Sequence, residues 1–180
     1  MTTEIDTDID AGYWIEKLKL IEHPEGGWYV RTYRSPLRVD TERLPAPFSG
    51  AGSRVLSSAI YYLLESPRYS AFHRIKSDEM WHFYAGSALT LYVIDETGGL
   101  SLLQLGRNPE KGEAFQRMVK AGCWFGALVN ELDSYTLAGC TVTPGFEYED
   151  FEMADRKALL ERYPQHRWII EKLTPRHNPT

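Results

Sequence analysis

The stretch YSAFHRIKSDEMWHFYAG, residues 69–86, decides how the chain folds. Apolar and polar side chains alternate along it, and His73 and His82 flank Asp78 and Glu79. A period of two belongs to a strand, not a helix. The pattern predicts strands over 70–76 and 79–84. In the second, Glu79, Trp81 and Phe83 share one face, and Met80, His82 and Tyr84 the other. If Trp81 and Phe83 face a barrel interior, Glu79 faces inward with them. A carboxylate among aromatic rings is costly unless paired or protonated. His73, on the preceding strand, is its nearest partner in sequence.

Outward from this segment the same period recurs. WYVRTYR at 28–34 reads as a strand, and RVLSSAIYYLL at 54–64 as one long buried strand. Further runs stand at 88–95, 100–105, 114–119, 123–129 and 134–142. Turn signals separate them: AGS, ETGG, GRNPEKG, AG and NELD. ETGG, between LTLYVID and LSLLQL, is the clearest hairpin. Many short strands punctuated this regularly predict a closed antiparallel sandwich or barrel. Residues 35–52, rich in Pro, Gly and Ser, read as a loop.

The ends are helical. Asp10 is an N-cap for a short helix through Leu20, with Trp14, Ile15 and Leu18 on one side. HPEGG at 23–27 ends it. ADRKALLERYP and HRWIIEKL predict two short C-terminal helices on the outside of the barrel. Residues 1–10 read as a flexible acidic tail and 11–180 as one domain.

Composition narrows the function. The 180 residues carry 20 Lys and Arg against 25 Asp and Glu, a net charge of -5. That balance argues against nucleic acid, whose binding is driven by Lys and Arg. No apolar run approaches the ~18 residues of a membrane span, and MTTEIDTDID lacks the basic start of a secretory signal. Two cysteines, Cys123 and Cys140, are too few for a disulfide framework. A cytoplasmic protein with two buried thiols is the expectation. In GGWYVRTYR, Arg31 and Tyr33 alternate with Thr32. They offer either an anion contact for a small ligand or an edge strand that pairs in a homodimer.

His73-x5-Glu79-x6-Gly86 resembles the first sequence motif of the cupin superfamily, and AGCWFGA at 121–127 looks like the second. Four stretches are similar to one branch of that superfamily, small proteins of unknown function: HPEGGWYVRTYRS, FHRIKSDEMWHFYAG, LAGCTVTPGFEYEDFEM and ALLERYPQHRWIIEKLT. The resemblance implies an all-β double-stranded β-helix, the cupin jelly-roll barrel, with a concave aromatic pocket. It also implies a homodimer. Tyr62, Trp81, Phe83 and Phe125 are the expected pocket residues. Two of the four metal-ligand positions of the motifs hold Ile75 and Phe125, and Lys120 replaces a proline. No metal or other cofactor is favoured, and a divalent metal would need His82 or a nearby acid.

The branch looks similar to dTDP-4-dehydrorhamnose epimerase-like cupins, which use a histidine base and no metal. That likeness implies a small-molecule binding protein, with metal-independent isomerisation or epimerisation of a sugar-like or carbonyl-containing substrate as its chemistry. His73 would be the base, Glu79 its orienter or the general acid, and Tyr62, Tyr135 or Tyr148 a further acid. A non-catalytic ligand-binding or structural cupin is the alternative, and a metal-dependent oxygenase a further one. The expected partners are a small molecule and a second copy of the chain, with neither nucleic acid nor membrane.

Overall fold

The computed structural model describes residues 9–48 and 52–175. In chain order its strands are β1 (Ile21–Glu22), β2 (Trp28–Arg34), β3 (Arg38–Asp40), β4 (Ser53–Val55), β5 (Ser58–Glu65), β6 (Tyr69–Arg74) and β7 (Asp78–Gly86). They continue as β8 (Leu89–Ile94), β9 (Leu100–Leu105), β10 (Gln116–Val119), β11 (Trp124–Val129), β12 (Tyr135–Thr143) and β13 (Glu152–Met153). Helix α1 (Ala11–Leu18) precedes them, and α2 (Arg156–Arg162) and α3 (Arg167–Lys172) follow.

Two antiparallel sheets face each other. One has the order β1-β2-β5-β12-β7-β10, the other β13-β6-β11-β8-β9. This non-sequential order is that of a jelly roll, in which successive strands cross between sheets. Tyr62, Leu64 and Trp81 from the first sheet meet Leu91, Val93, Phe125 and Ala127 from the second. A fully buried Leu, Val or Phe among them contributes about 1.5–3 kcal/mol relative to exposure.

The helices cover the outer faces. Trp14, Ile15 and Leu18 of α1 lie over Leu63 and Leu137. Leu159, Ile169 and Ile170 of the C-terminal helices lie over Phe72 and Trp124. Strands β5 and β6 are therefore buried on both faces, which is why YYLL and SAFH are continuous apolar runs rather than strict alternations. No helix among the described residues is long and apolar enough to cross a membrane.

Asp10 caps α1 as expected, accepting from the Tyr13 backbone N–H at 2.8 Å. The carbonyl of Ile9 accepts from the Tyr135 hydroxyl at 2.9 Å. Residues 9 and 10 therefore belong to the fold, and the rest of the predicted tail, 1–8, lies outside the described residues. The hairpin at ETGG forms as read, with Asp95 Oδ1 accepting from the backbone of Thr97 and Gly99, both at 2.9 Å.

Two expectations need correction. The strand read over 54–64 breaks at Leu56 and Ser57, whose backbones bond to Leu37 and Ser35 instead of continuing one ladder. The loop over 35–52 carries β3, paired with β4. Arg38 of this loop donates to Ser53 at 2.7 Å, and Arg54 of β4 makes a two-pronged contact with Asp150.

Candidate functional site

A pocket opens between the sheets at one end of the barrel, with about 630 Å³ of space counted out to open solvent. Its walls come from β2, β5, β6, β7 and β12 and from the loops at 23–27 and 146–151. Ile60, Ile75, Val142, Phe146 and Phe151 make it apolar, and Tyr29, Arg31 and Tyr148 stand at its more exposed rim.

His73 lies at the base, 3 % exposed. Its Nδ1 is 2.7 Å from the Ala71 carbonyl oxygen. An oxygen acceptor there requires a proton on Nδ1. Its Nε2 is 3.0 Å from Glu25 Oε2, so a proton lies between those atoms too. Burial by itself would raise the Glu25 carboxyl, but the charges of His73 and His23, with hydrogen bonds from His73 and Ser70, hold it at about 2. Burial opposes charge on His73 as well, yet Glu25 outweighs it and raises the imidazole. Both directions favour the imidazolium–carboxylate form of the pair.

This arrangement corrects two expectations. The partner of His73 is Glu25, not Glu79. Neither ring nitrogen of His73 keeps a free lone pair, so it is not placed to act as a base. The Phe125 ring packs on the imidazole at 4.1 Å between centroids, which fixes the ring's tilt.

Glu25 owes its place to HPEGG. Gly26 and Gly27 have φ of +109° and +75°, a region glycine enters without strain. A Cβ on Gly27 would stand 2.7 Å from the Leu63 carbonyl oxygen and 2.8 Å from the Tyr62 hydroxyl. The turn therefore presses directly on β5 and delivers Glu25 to Ser70, whose hydroxyl donates to Oε1 at 2.9 Å. His23 Nδ1 accepts from the Glu25 backbone N–H at 3.3 Å, and its ring meets Tyr29 edge-on at 4.6 Å. Burial lowers the pKa of His23, partly offset by Glu25.

Glu79 stands apart from this pair. It is 8 % exposed and forms no ion pair among the described residues. Burial raises its pKa to about 7; His73 pulls it down, Glu25 pushes it up, and Cys140 and Trp81 lean it back down. The Trp81 indole N–H thus favours the carboxylate electrostatically but makes no hydrogen bond of normal geometry. Glu79 and Trp81 share one face of β7, as alternation predicted, and Cys140 sits opposite Trp81 on β12.

The remaining sequence candidates divide. Tyr62 lines the pocket, its hydroxyl donating to the Gly26 carbonyl at 2.7 Å. Phe125 supports His73 from within the core. Phe83 is not in this pocket: two residues further along β7, it lines a separate hollow with Trp14, Tyr84 and Tyr135. Tyr135 is spent there on Trp14 and Ile9. Tyr148 reaches the rim, 3.1 Å from the Tyr29 hydroxyl. His82 points to the outer face, 3.1 Å from Thr141 Oγ1. His177 lies outside the described residues.

The residues present do not fit a transition metal. Ile75 and Phe125 offer no donor atoms, both nitrogens of His73 are engaged, and His82 faces away. Among the described residues no group of three or more His, Cys, Asp or Glu side chains is arranged to hold an ion.

Comparison with known proteins agrees with the barrel. The family described as Cupin superfamily (DUF985) matches residues 12–154. The chain belongs to the cupin superfamily. Protein SO0799 of Shewanella oneidensis shares 40 % identity and a TM-score of 0.83 with this cupin, over 94 % of this chain and 100 % of that one. A hypothetical protein from Leishmania major shares 34 % identity and a TM-score of 0.81, over 92 % and 99 %. The uncharacterized protein YML079W of Saccharomyces cerevisiae is 29 % identical over 147 residues, 76 % of this chain and 71 % of that one. An oxalate decarboxylase of Bacillus subtilis, at 12 % identity and a TM-score of 0.52 over 87 % of this chain and 38 % of that one, shares the fold alone.

Glu25 and His23 are the site residues that sequence reasoning missed. HPEGG reads as the stop of a helix through Leu20, but α1 ends at Leu18, capped by Lys19 in the left-handed region, and β1 intervenes. The other signal in HPEGG was an acid between a histidine and paired glycines, inside a stretch that resembles the family.

Proposed function

We propose that this cupin binds a small carbonyl-containing molecule in the barrel pocket and moves a proton on it, as an isomerase or epimerase does. The observation that carries the reading is Glu79: a buried carboxyl, in no ion pair among the described residues, with a pKa of about 7 among apolar walls. A general acid–base works best when its pKa lies near the working pH. Glu79 in its carboxylate form takes a proton from the carbon beside a carbonyl. The C–H electron pair becomes the enolate double bond, and the carbonyl π pair moves to oxygen. Return of a proton to the same carbon regenerates the ketone. In an α-hydroxy ketone, the hydroxyl proton shifts to the enolate oxygen, the hydroxyl oxygen becomes the new carbonyl, and the proton returns to the former carbonyl carbon. Neither route needs a co-reactant. The His73–Glu25 pair, neutral as a unit, adds imidazolium charge at the base without supplying a base.

The test uses 4-oxopentanoate and dihydroxyacetone phosphate in D2O, followed by proton NMR. Deuterium wash-in beside the ketone should exceed the protein-free rate for at least one of them, and Glu79→Gln should cut it by about 10²-fold or more. Binding without acceleration, or acceleration that survives Glu79→Gln, would overturn the proton-transfer reading. The first outcome would leave a ligand-binding cupin without turnover.

A further inference from the structure

Two polar donors lining this pocket have no hydrogen-bond partner of normal geometry among the described residues, one deeply buried and the other exposed. At the base is the Trp81 indole N–H. Among the described residues it is the one buried side-chain nitrogen or oxygen without a hydrogen-bond partner, and Trp81 is 1 % exposed. A buried donor left unpaired is costly, and native proteins rarely leave one without a reason. The indole cannot accept, so only an acceptor satisfies it. Glu79 lies close enough for the indole to lower its pKa, and when protonated it adds a second donor there.

At the rim is Arg31. It is the only Lys or Arg among the residues lining the pocket, and its guanidinium forms no ion pair or hydrogen bond with the described residues. Its neighbours on the same strand and nearby behave differently: Arg34 bonds Glu147 at 2.5 Å, and Arg74 bonds Glu152 at 2.7 Å. The backbone explains the placement. Tyr29 and Arg31 are two apart on β2 and share the face that looks into the pocket, and the register shifts immediately after Arg31. A bulge at such a point re-aims the side chains beside it. Tyr29 and Tyr148, their hydroxyls 3.1 Å apart, line the pocket with Arg31, and the Arg31 charge lowers the Tyr148 hydroxyl against the other influences that raise it.

The charge balance inside points the same way. Glu25 and His73 cancel, His23 is driven towards its neutral form, and Glu79 is free to be neutral. Arg31 then leaves the pocket with a positive end and an apolar middle.

We infer that the pocket takes a small anion that also carries a carbonyl, its anionic group at Arg31 between Tyr29 and Tyr148, and its carbonyl oxygen at the Trp81 N–H. A carboxylate and a phosphate monoester present the same charge and acceptor oxygens to a guanidinium. The inference rests on the pocket being a ligand site, and is separable from whether Glu79 then moves a proton.

The test is binding, not turnover. The probes are 4-oxopentanoate and dihydroxyacetone phosphate, each beside its neutral counterpart, methyl 4-oxopentanoate and dihydroxyacetone. Titration is followed by calorimetry and by the indole N–H signals in a 1H–15N spectrum, where Trp81→Phe identifies the Trp81 peak by its loss. At least one anion should bind, and should move the Trp81 indole proton downfield. Arg31→Gln should weaken that anion by about ten- to a hundred-fold, the range for a charge-assisted hydrogen bond, and leave the neutral counterpart unchanged. Preference between the two anions tells carboxylate from phosphate. Failure of both anions to bind, equal affinity for charged and neutral partners, or an anion whose binding survives Arg31→Gln would overturn the inference. An anion that binds through Arg31 but exchanges no deuterium would leave this inference standing and remove the proton-transfer reading.

Discussion

His73 Nε2 lies 3.0 Å from Glu25 Oε2, and both side chains are buried. The contact joins a turn next to β2 to the C-terminal end of β6, and so ties one sheet of the barrel to the other. Breaking a buried ion pair from one side leaves a charge with no partner, which typically costs about 3–5 kcal/mol.

Glu25→Gln should therefore destabilise the protein by about that amount at pH 6. The sign follows from both partners. Glu25 is held down, from 4.5 to about 2, so its contribution is present above pH 4.5 and is lost as pH falls towards 2. His73 is raised above 6.5, so its contribution is full below 6.5 and is lost as pH rises through that raised value. Urea unfolding of both proteins at pH 3, 6 and 9 would measure it. The gap should be widest at pH 6, and a flat gap would show that the pair is not ionised.

Glu79→Gln should do the reverse. The folded state favours the protonated acid, with its pKa raised from 4.5 to about 7. That preference is fully satisfied below pH 4.5 and is lost as pH rises through 7. At pH 8 the wild type carries a buried charge that Gln removes, so the variant should be more stable there by at most about 3 kcal/mol. At pH 5 most of the difference should vanish. Thermal melts at the two pH values decide it; a variant less stable at pH 8 would mean that Glu79 is paired in solution.

What the sequence disclosed and what it hid follow from range. Alternation placed Glu79 and Trp81 on one face of β7 because period two is a local property. The N-cap at Asp10 and the hairpin at ETGG were legible for the same reason. The partner of His73 was not. Glu25 reaches it through a turn whose geometry depends on contacts with Leu63 and Tyr62, far along the chain, and sequence proximity favoured Glu79. Phe83 was misplaced because a shared strand face does not say how far along the barrel a pocket extends. The break at Leu56 escaped because an apolar run reads alike whether it serves one sheet or crosses between two.

Gly27→Ala probes the turn itself. The new Cβ would meet the Leu63 carbonyl and the Tyr62 hydroxyl at 2.7 and 2.8 Å, with φ at +75°. Backbone strain of this kind costs about 1–3 kcal/mol before the clash is counted. Gly112→Ala, at φ +76° with nothing within 4 Å, is the control. Gly27→Ala should cost clearly more, measured by denaturant midpoint, and equal losses would show that the turn is not pressed against β5.

Assembly can be tested at β2. On its outer side β1 pairs only with Trp28 and Tyr29, so among the described residues the edge from Arg31 to Arg34 has no neighbouring strand there. Tyr33 on this stretch is 48 % exposed. An uncovered edge is an opportunity for pairing with another chain. Light scattering at micromolar concentration should give twice the chain mass, and Tyr33→Glu should shift it towards the monomer. A wild type that is monomeric under those conditions would refute the expectation.

Metal removal should leave the protein unchanged. Two positions where the cupin motifs place ligands hold Ile75 and Phe125, whose side chains are hydrocarbon. At a third, His73 gives one nitrogen to the Ala71 carbonyl and the other to Glu25. A metal claiming Nε2 would have to displace its proton and break the ion pair, and would gain only Glu79 as a further ligand. Structural zinc sites use four ligands and catalytic ones three plus water. Dialysis against EDTA should therefore shift the melting temperature by no more than about 1 °C, well below the 2–4 °C that 1 kcal/mol moves a domain of this size. Adding Zn2+ or Mn2+ afterwards should show no saturable heat in calorimetry at micromolar protein. A loss of several degrees on chelation, restored by one equivalent of either ion, would mean that His73 leaves Glu25 in solution and would reopen the metal-dependent reading.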